Sequence, residues 1–345
     1  MIGKGRVASR TVRGLSAIAL RYSLLIVLLV VVVIFAIAAP AFSVSGNVNT
    51  LLRATSIAAI MYVGATWVIA SGEIDVSFMQ VAAVSNMLVA AAVPHGWPMA
   101  IGLGISAGFA IGLLNGVLVG LLRLPSLVIT IMTGSLALSM AEAIGGGSSL
   151  SITDTGFVGY FVHFNLGAVP AVALLAAGSY WLAWYLQERL TFGHYLYALA
   201  QNRSAVVEAG IPARTIIVIV FVISGVASAI AGILLTAALA SGQPRIGASY
   251  FLDGLTAISL GALVFRPSQA NVLGTLVAAL LLATLVSGTA LLGWSDWQQQ
   301  MLKGTLLLAS IVVALRGRRA ADWDGDLVSD GGPGARMSRN QAKPR

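Results

Sequence analysis

The chain has 345 residues, 58% of them hydrophobic and only 9% charged, and its mean hydropathy is +0.92. Soluble domains carry about 25% charged residues, so this composition excludes a soluble globular protein and points to an integral membrane protein. Zero cysteines exclude disulfides and thiolate metal sites, the scattered His95, His163 and His194 form no ligand cluster, and the net charge of +8 flanks apolar runs instead of gathering into a nucleic-acid-binding patch.

A helix needs about 20 apolar residues to cross the hydrocarbon core. The sequence offers ten such runs, at about 23–41, 54–70, 76–93, 99–122, 126–143, 169–187, 215–239, 252–264, 272–292 and 297–315. They predict an all-α, polytopic membrane protein with about ten transmembrane helices in the lipid bilayer. The first run follows Lys4, Arg6, Arg10, Arg13 and Arg21. The segment FAIAAPAFS could suit a cleaved signal, but the long basic lead and the further spans favour a retained helix. The eighth run is the shortest.

With the N-terminus inside, inner segments hold Arg123, Arg189, Arg203, Arg214, Arg266, Arg316, Arg318 and Arg319, while outer segments hold only Arg53 and Arg245. Both termini are then cytoplasmic, and the expected location is the cell's inner membrane. Residues 1–22 read as a basic cytoplasmic segment and 23–315 as the permeating domain. The tail 316–345, with Asp322, Asp324, Asp326 and a Gly-Pro stretch, has too few apolar residues to fold.

Between the second and third runs, SGEIDVSFMQVAAVSN (71–86) sets Glu73 and Asp75 among apolar neighbours. Gly72 ends the preceding helix. Asp75 and Ser77 sit where the third helix needs an N-cap, because carboxylate and hydroxyl oxygens accept its orphan amide hydrogens. An intramembrane carboxylate is also a functional-site hypothesis, which leaves Glu73 open between interfacial solvation and a proton relay. Gln80 and Asn86, with Asn115 on the fourth run, are candidate pathway amides, since an amide both donates and accepts to sugar hydroxyls; bonding between packed helices is the competing role. The small residues of GLGISAGFAIGLLNG mark close helix packing, not a nucleotide loop.

The outer segment at about 145–167 is Gly/Ser-rich, then amphipathic, as suits a loop lying on the membrane face. Glu142 should be solvated near the outer end of its span, and Trp294 and Trp297 fit an interfacial belt. The inner segment, about 188–214, predicts two short helices, with Asn202 or Ser204 capping the second and Gly210 and Pro212 ending it. It forms either a compact cytoplasmic knob or an ordinary connector.

The run TFGHYLYALAQNRSAVVEAGIPARTI resembles the coupling loop of permease subunits of ribose-type ATP-binding cassette (ABC) sugar importers. SGEIDVS, LPSLVITIMTGSLA and VLGTLVAALLLATLVSGTALLG resemble further stretches of that family in the same order, within a superfamily that also holds branched-chain amino acid permeases. Glu73 stands where the family has glycine. The resemblance implies a type II ABC importer-like permease that hydrolyses nothing. Its partners would be a second permease copy or paralogue, cytoplasmic ATPases that use ATP and magnesium, and an extracytoplasmic solute-binding protein. It also implies that Asn202, Ser204, Ala205, Glu208 and Gly210 meet the ATPase. Glu73, Asp75, Ser77, Gln80, Asn86 and Asn115 are the candidates for the solute pathway. The chain has no P-loop of glycines, Lys and Ser/Thr and no evident nucleophile and base pair, so no cofactor is expected in it. An ion-coupled secondary transporter using Glu73 and Asp75, and an ABC permease for another solute such as an amino acid, are the alternatives.

Overall fold

The computed structural model describes residues 22–266 and 268–330, with side chains up to 313. Ten helices lie on the ten apolar runs: α1 (Ser23–Ala38), α2 (Ser45–Ala70), α3 (Phe78–Ala92), α4 (Trp97–Gly116), α5 (Ser126–Ile144), α7 (Ala171–Arg189), α10 (Ala213–Leu239), α11 (Ala248–Gly261), α12 (Val272–Leu291) and α13 (Asp296–Asp330). Three shorter helices are α6 (Gly156–His163), α8 (Thr191–Gln201) and α9 (Arg203–Glu208). Among the described residues, six helices are long and apolar enough to cross a membrane: α2, α3 with its 3-10 extension to His95, α4 with its π turn to Leu121, α5, α10 and α12. Helices dominate because hydrocarbon offers backbone amides no partner outside the segment.

Some boundaries differ from the apolar runs. Helix α11 starts at Ala248, four residues before the run does, because the turn at 243–247 already closes hydrogen bonds such as Ala248 N–H to Arg245 O. Helix α13 continues to Asp330, so the backbone is helical where the tail from Arg316 was expected to be unfolded. Extending an existing helix fixes one residue per new hydrogen bond and avoids the cost of nucleation. Residues 1–21 and 331–345, which hold the rest of the two terminal segments, lie outside the described residues.

Helix α10 is the central pillar, packed on α2, α3 and α4. Its seam with α4 is built from glycines. A Cβ at Gly108 would run into the Gly225 backbone, and one at Gly112 into the Phe221 carbonyl, so the two backbones touch as small residues allow in membranes. Helix α2 is the most enclosed span, with 78% of its apolar window buried, against 28% for α4 and α5, whose outer faces carry Phe109, Leu113, Met132 and Leu136 toward lipid. Helices α11, α12 and α13 pack together, and α12 also covers α1 and α2.

The bundle has two distinct ends. At one, β1 (Leu150–Ser151) pairs antiparallel with β4 (Ser241–Gly242), and β2 (Asn165–Leu166) with β3 (Val169–Pro170), beside α6. Arg53 Nε donates to Val162 O there at 2.9 Å. At the other end sit α8, α9 and the loop joining α2 to α3. The segment around 145–167 thus forms an ordered cover over the first end, with its own Val158 and Val162 buried.

Candidate functional site

The loop between α2 and α3 dips into the bundle and cannot satisfy its own backbone. Helix α5 supplies hydroxyls instead: Ile74 N–H donates to Ser126 Oγ at 3.1 Å and Val76 N–H to Thr130 Oγ1 at 3.3 Å. Asp75, 2% exposed, is the centre of this loop. Its Oδ1 accepts from Ser77 N at 2.8 Å and Ser77 Oγ at 2.6 Å, and its Oδ2 accepts from Ser224 Oγ of α10 at 2.7 Å. The chain continues as Asn115 Nδ2 of α4 donates to Ser77 Oγ at 2.9 Å and Thr133 Oγ1 of α5 donates to Asn115 Oδ1 at 2.7 Å. One buried polar bridge therefore ties α10, the loop, α4 and α5.

Asp75 is thus more than a helix cap. It takes one amide, that of Ser77, which is itself the N-cap position and makes no side-chain cap bond to α3. The remaining acceptor capacity goes to two hydroxyls, one 149 residues away, which no local spacing reveals. A buried carboxylate is tolerable here because charged acceptors make the stronger hydrogen bonds and three donors converge on it.

Glu73 points the other way, out of the bundle and onto the helix pair. Arg203 Nη1 lies 2.9 Å from its Oε1, with side-chain exposures of 38% and 14%. Helix α8 seats against the loop, where Gly72 at φ +87 packs on Ala200, and Phe192 meets Trp67 edge-on at 5.3 Å. Glu188 anchors the pair from behind. It bonds Arg266 Nη2 at 2.6 Å and accepts from Tyr197 OH at 3.2 Å, while Arg266 lies over the Tyr197 ring at 4.8 Å. Burial, then the Glu188 charge, raises the Tyr197 phenol well above its ordinary value, so it remains a donor.

Helix α9 is short but closed at both ends. Asn202, not Ser204, is the cap, its Oδ1 accepting from Ala205 N at 3.0 Å. Gly210 takes φ +77, its N–H bonds Val207 O and Ile211 N–H bonds Val206 O, the paired bonds of a Schellman ending. Val206 packs inward at 5% exposure. Ser204, Ala205, Val207 and Glu208 face outward, so the knob presents one rigid, mostly uncommitted surface.

The candidate pathway amides divide. Asn86 is fully occupied, donating to Thr236 Oγ1 and Ser241 O and accepting from Gln243 N at 2.6 Å, which pins β4 onto α3. Asn115 is occupied by the bridge. Gln80, half-buried near Gly134 of α5, keeps an unpartnered Oε1 among the described residues. Glu142 pairs with exposed Arg245 at 2.8 Å at the strand-bearing end. Reading along the chain misses Ser224, Thr133 and Arg203, because each acts through a partner on another element.

The chain is thus an all-α polytopic membrane protein with one buried polar bridge and a capped helical knob at one end. Residues 47–311 match the model of the family described as branched-chain amino acid transport system / permease component, and the chain belongs to that family. The chain is 31% identical over 294 residues to the ribose import permease protein of Escherichia coli (strain K12), covering 84% of this chain and 92% of that one. It is 30% identical over 298 residues to the L-arabinose transport system permease protein of the same strain, covering 85% and 89%. Its identity to the D-allose transport system permease protein is 25%, covering 85% and 91%. No solved structure matches.

Proposed function

We propose that this chain is the permease subunit of an ABC importer for a monosaccharide or similar small polar solute, set in the cell's inner membrane with both termini cytoplasmic. The relatives named for ribose, L-arabinose and D-allose support the solute class, and the excess of arginine at the knob end supports the orientation. In this reading a cytoplasmic ATPase grips α9, a second permease copy or paralogue completes the pathway, and an extracytoplasmic binding protein docks at the end bearing the strands. ATP and magnesium belong to the ATPase.

The observation that carries the reading is the capped knob bolted to the Asp75 loop by Glu73 and Arg203. A rigid exposed helix transmits a push, and the ion pair delivers it to a loop bonded to three membrane helices. A carrier driven by protons through Glu73 and Asp75 finds less support. Glu73 is paired with Arg203 and Asp75 accepts from three donors, so structural partners account for both carboxylates.

Reconstituted vesicles provide the test. Sugar accumulation should require the ATPase, its ATP and the binding protein, and a pH or sodium gradient across vesicles holding the permease alone should drive none. Accumulation under a gradient without ATPase would overturn the importer reading.

A further inference from the structure

We propose that the cavity between α2, α11 and α12 is a transit site for a neutral polyol, in which the Tyr62 and Tyr250 hydroxyls and the Asp253 carboxylate take its hydroxyl groups; this rests on the sugar-import reading above. The cavity has a volume of about 380 Å³, inside the range of about 300–1,000 Å³ typical of small-molecule sites. Its mouth is at exposed Thr50, Ala54 and Ala290. Those residues lie at the strand-bearing end, opposite the knob, where a solute delivered from outside would enter.

Most of the wall is apolar, but three polar groups converge on it without being used up by the fold. Tyr62 is 2% exposed, yet it lines the cavity, and neither its hydroxyl nor that of Tyr250 has a hydrogen-bond partner among the described residues. Asp253 lies in electrostatic range of both rings. Its Oδ1 lies 2.7 Å from Lys303 Nζ of α13, which leaves Oδ2 to accept. A carboxylate accepting two hydroxyls beside two phenols that donate or accept is the chemistry that recognises a polyol, while Leu282 and Val286 suit its C–H faces. A lipid chain fits the volume but would leave both phenol hydroxyls unsatisfied in hydrocarbon, which disfavours it.

The floor is connected to the polar bridge. Tyr62 meets Phe78 edge-on at 6.2 Å, and Phe78 is the first residue of α3, directly after Ser77. Occupancy of the cavity and the position of the loop are thus in mechanical contact.

The chain has no cysteine, so Ala283→Cys places a unique thiol on the cavity wall, and Ala54→Cys places one at its mouth. Each variant is assembled with ATPase and binding protein in vesicles and treated with a charged, membrane-impermeant thiol reagent or a lipophilic maleimide. D-Ribose, L-arabinose and D-allose are the probes. The charged reagent should label both thiols, and a transported sugar should slow the reaction. Tyr62→Phe and Tyr250→Phe should each raise the sugar concentration for half-protection by about 3- to 10-fold, the loss of one neutral hydrogen bond. Sugar binding by the isolated delivery protein, which lacks this site, should not change. Labelling by the lipophilic reagent alone would mean a lipid crevice and overturn the site. So would ATP-driven uptake of a sugar that protects neither thiol, with the importer reading left standing. Absence of ATP-driven uptake for all three sugars would sink the sugar-import reading, and this site with it.

Discussion

Replacing Glu73 with Gln should weaken the grip of the knob on the Asp75 loop while leaving every membrane helix in place. At 2.9 Å the bare attraction is about 6 kcal/mol for an effective dielectric constant near 20. Most of that is offset, because Arg203 is 38% exposed and water screens it, so the net interaction should be about 0.5–1.5 kcal/mol. That is about a 2- to 13-fold change in the equilibrium between engaged and disengaged knob. Arg203 Nη2 has no hydrogen-bond partner among the described residues, so losing Glu73 also removes the ion-pair partner of Nη1. The assay is a double-mutant cycle of Glu73→Gln and Arg203→Gln in lipid nanodiscs. Two quantities are read, thermal unfolding and sugar moved per ATP hydrolysed in the assembled transporter. Each single variant should hydrolyse ATP normally and move less sugar per ATP, and the exchange Glu73→Arg with Arg203→Glu should recover part of the loss. A coupling energy below about 0.2 kcal/mol, together with an unchanged ratio in all variants, would refute the idea that force passes through this pair.

Asp75→Ala should cost about 3–5 kcal/mol in detergent unfolding, because Ser77 and Ser224 lose a charged acceptor in a buried site, whereas Asp75→Asn keeps one acceptor and should cost less than half of that. Equal costs would mean that the bridge is not held by the carboxylate. Gly210→Val should strain the left-handed ending of α9 by about 1–2 kcal/mol and reduce co-purification of the ATPase, while Gly210→Asn should be tolerated. Glu208→Arg should insert normally and lose the ATPase; retention of ATPase and transport in both Glu208→Arg and Gly210→Val would make α9 a mere connector. Thiols introduced by Ser148→Cys and Ser204→Cys, both at exposed positions of this cysteine-free chain, should label from opposite sides of the membrane, Ser204→Cys only from the cytoplasm. Labelling from the same side would overturn the topology.

The spans were legible because burial in lipid demands long apolar runs, and hydropathy alone locates those. Caps were legible where the partner is three or four residues away: Asn202 with Ala205 N, and Gly210 with its left-handed turn. The polar bridge was not. Asp75 shows its short-range bond to Ser77 in the sequence but not its bond to Ser224; Asn115 stands out as an amide in an apolar run without showing its partners, and Thr133 looks like ordinary hydroxyl decoration of an apolar helix. Arg203 reads as an orienting charge, and nothing local tells that it faces Glu73. The cavity was hidden for a similar reason, since Tyr62, Tyr250 and Asp253 come from two helices far apart in the chain.

The glycine seam between α4 and α10 sets how this molecule answers its bilayer. Two backbones in direct contact have no side-chain rotamers through which to yield, so the pair is stiff against separation and free only to slide or to tilt together. Helices joined through larger side chains, such as α2 and α7 across the Tyr180 hydroxyl and Ala59 carbonyl, can yield through those side chains' rotamers, which is where slack can arise. When the membrane thins or thickens, α4 and α10 will lean as one plank, and the resulting misfit will be taken up where the slack is. Lipid thickness is therefore an input that this fold feels along a single axis.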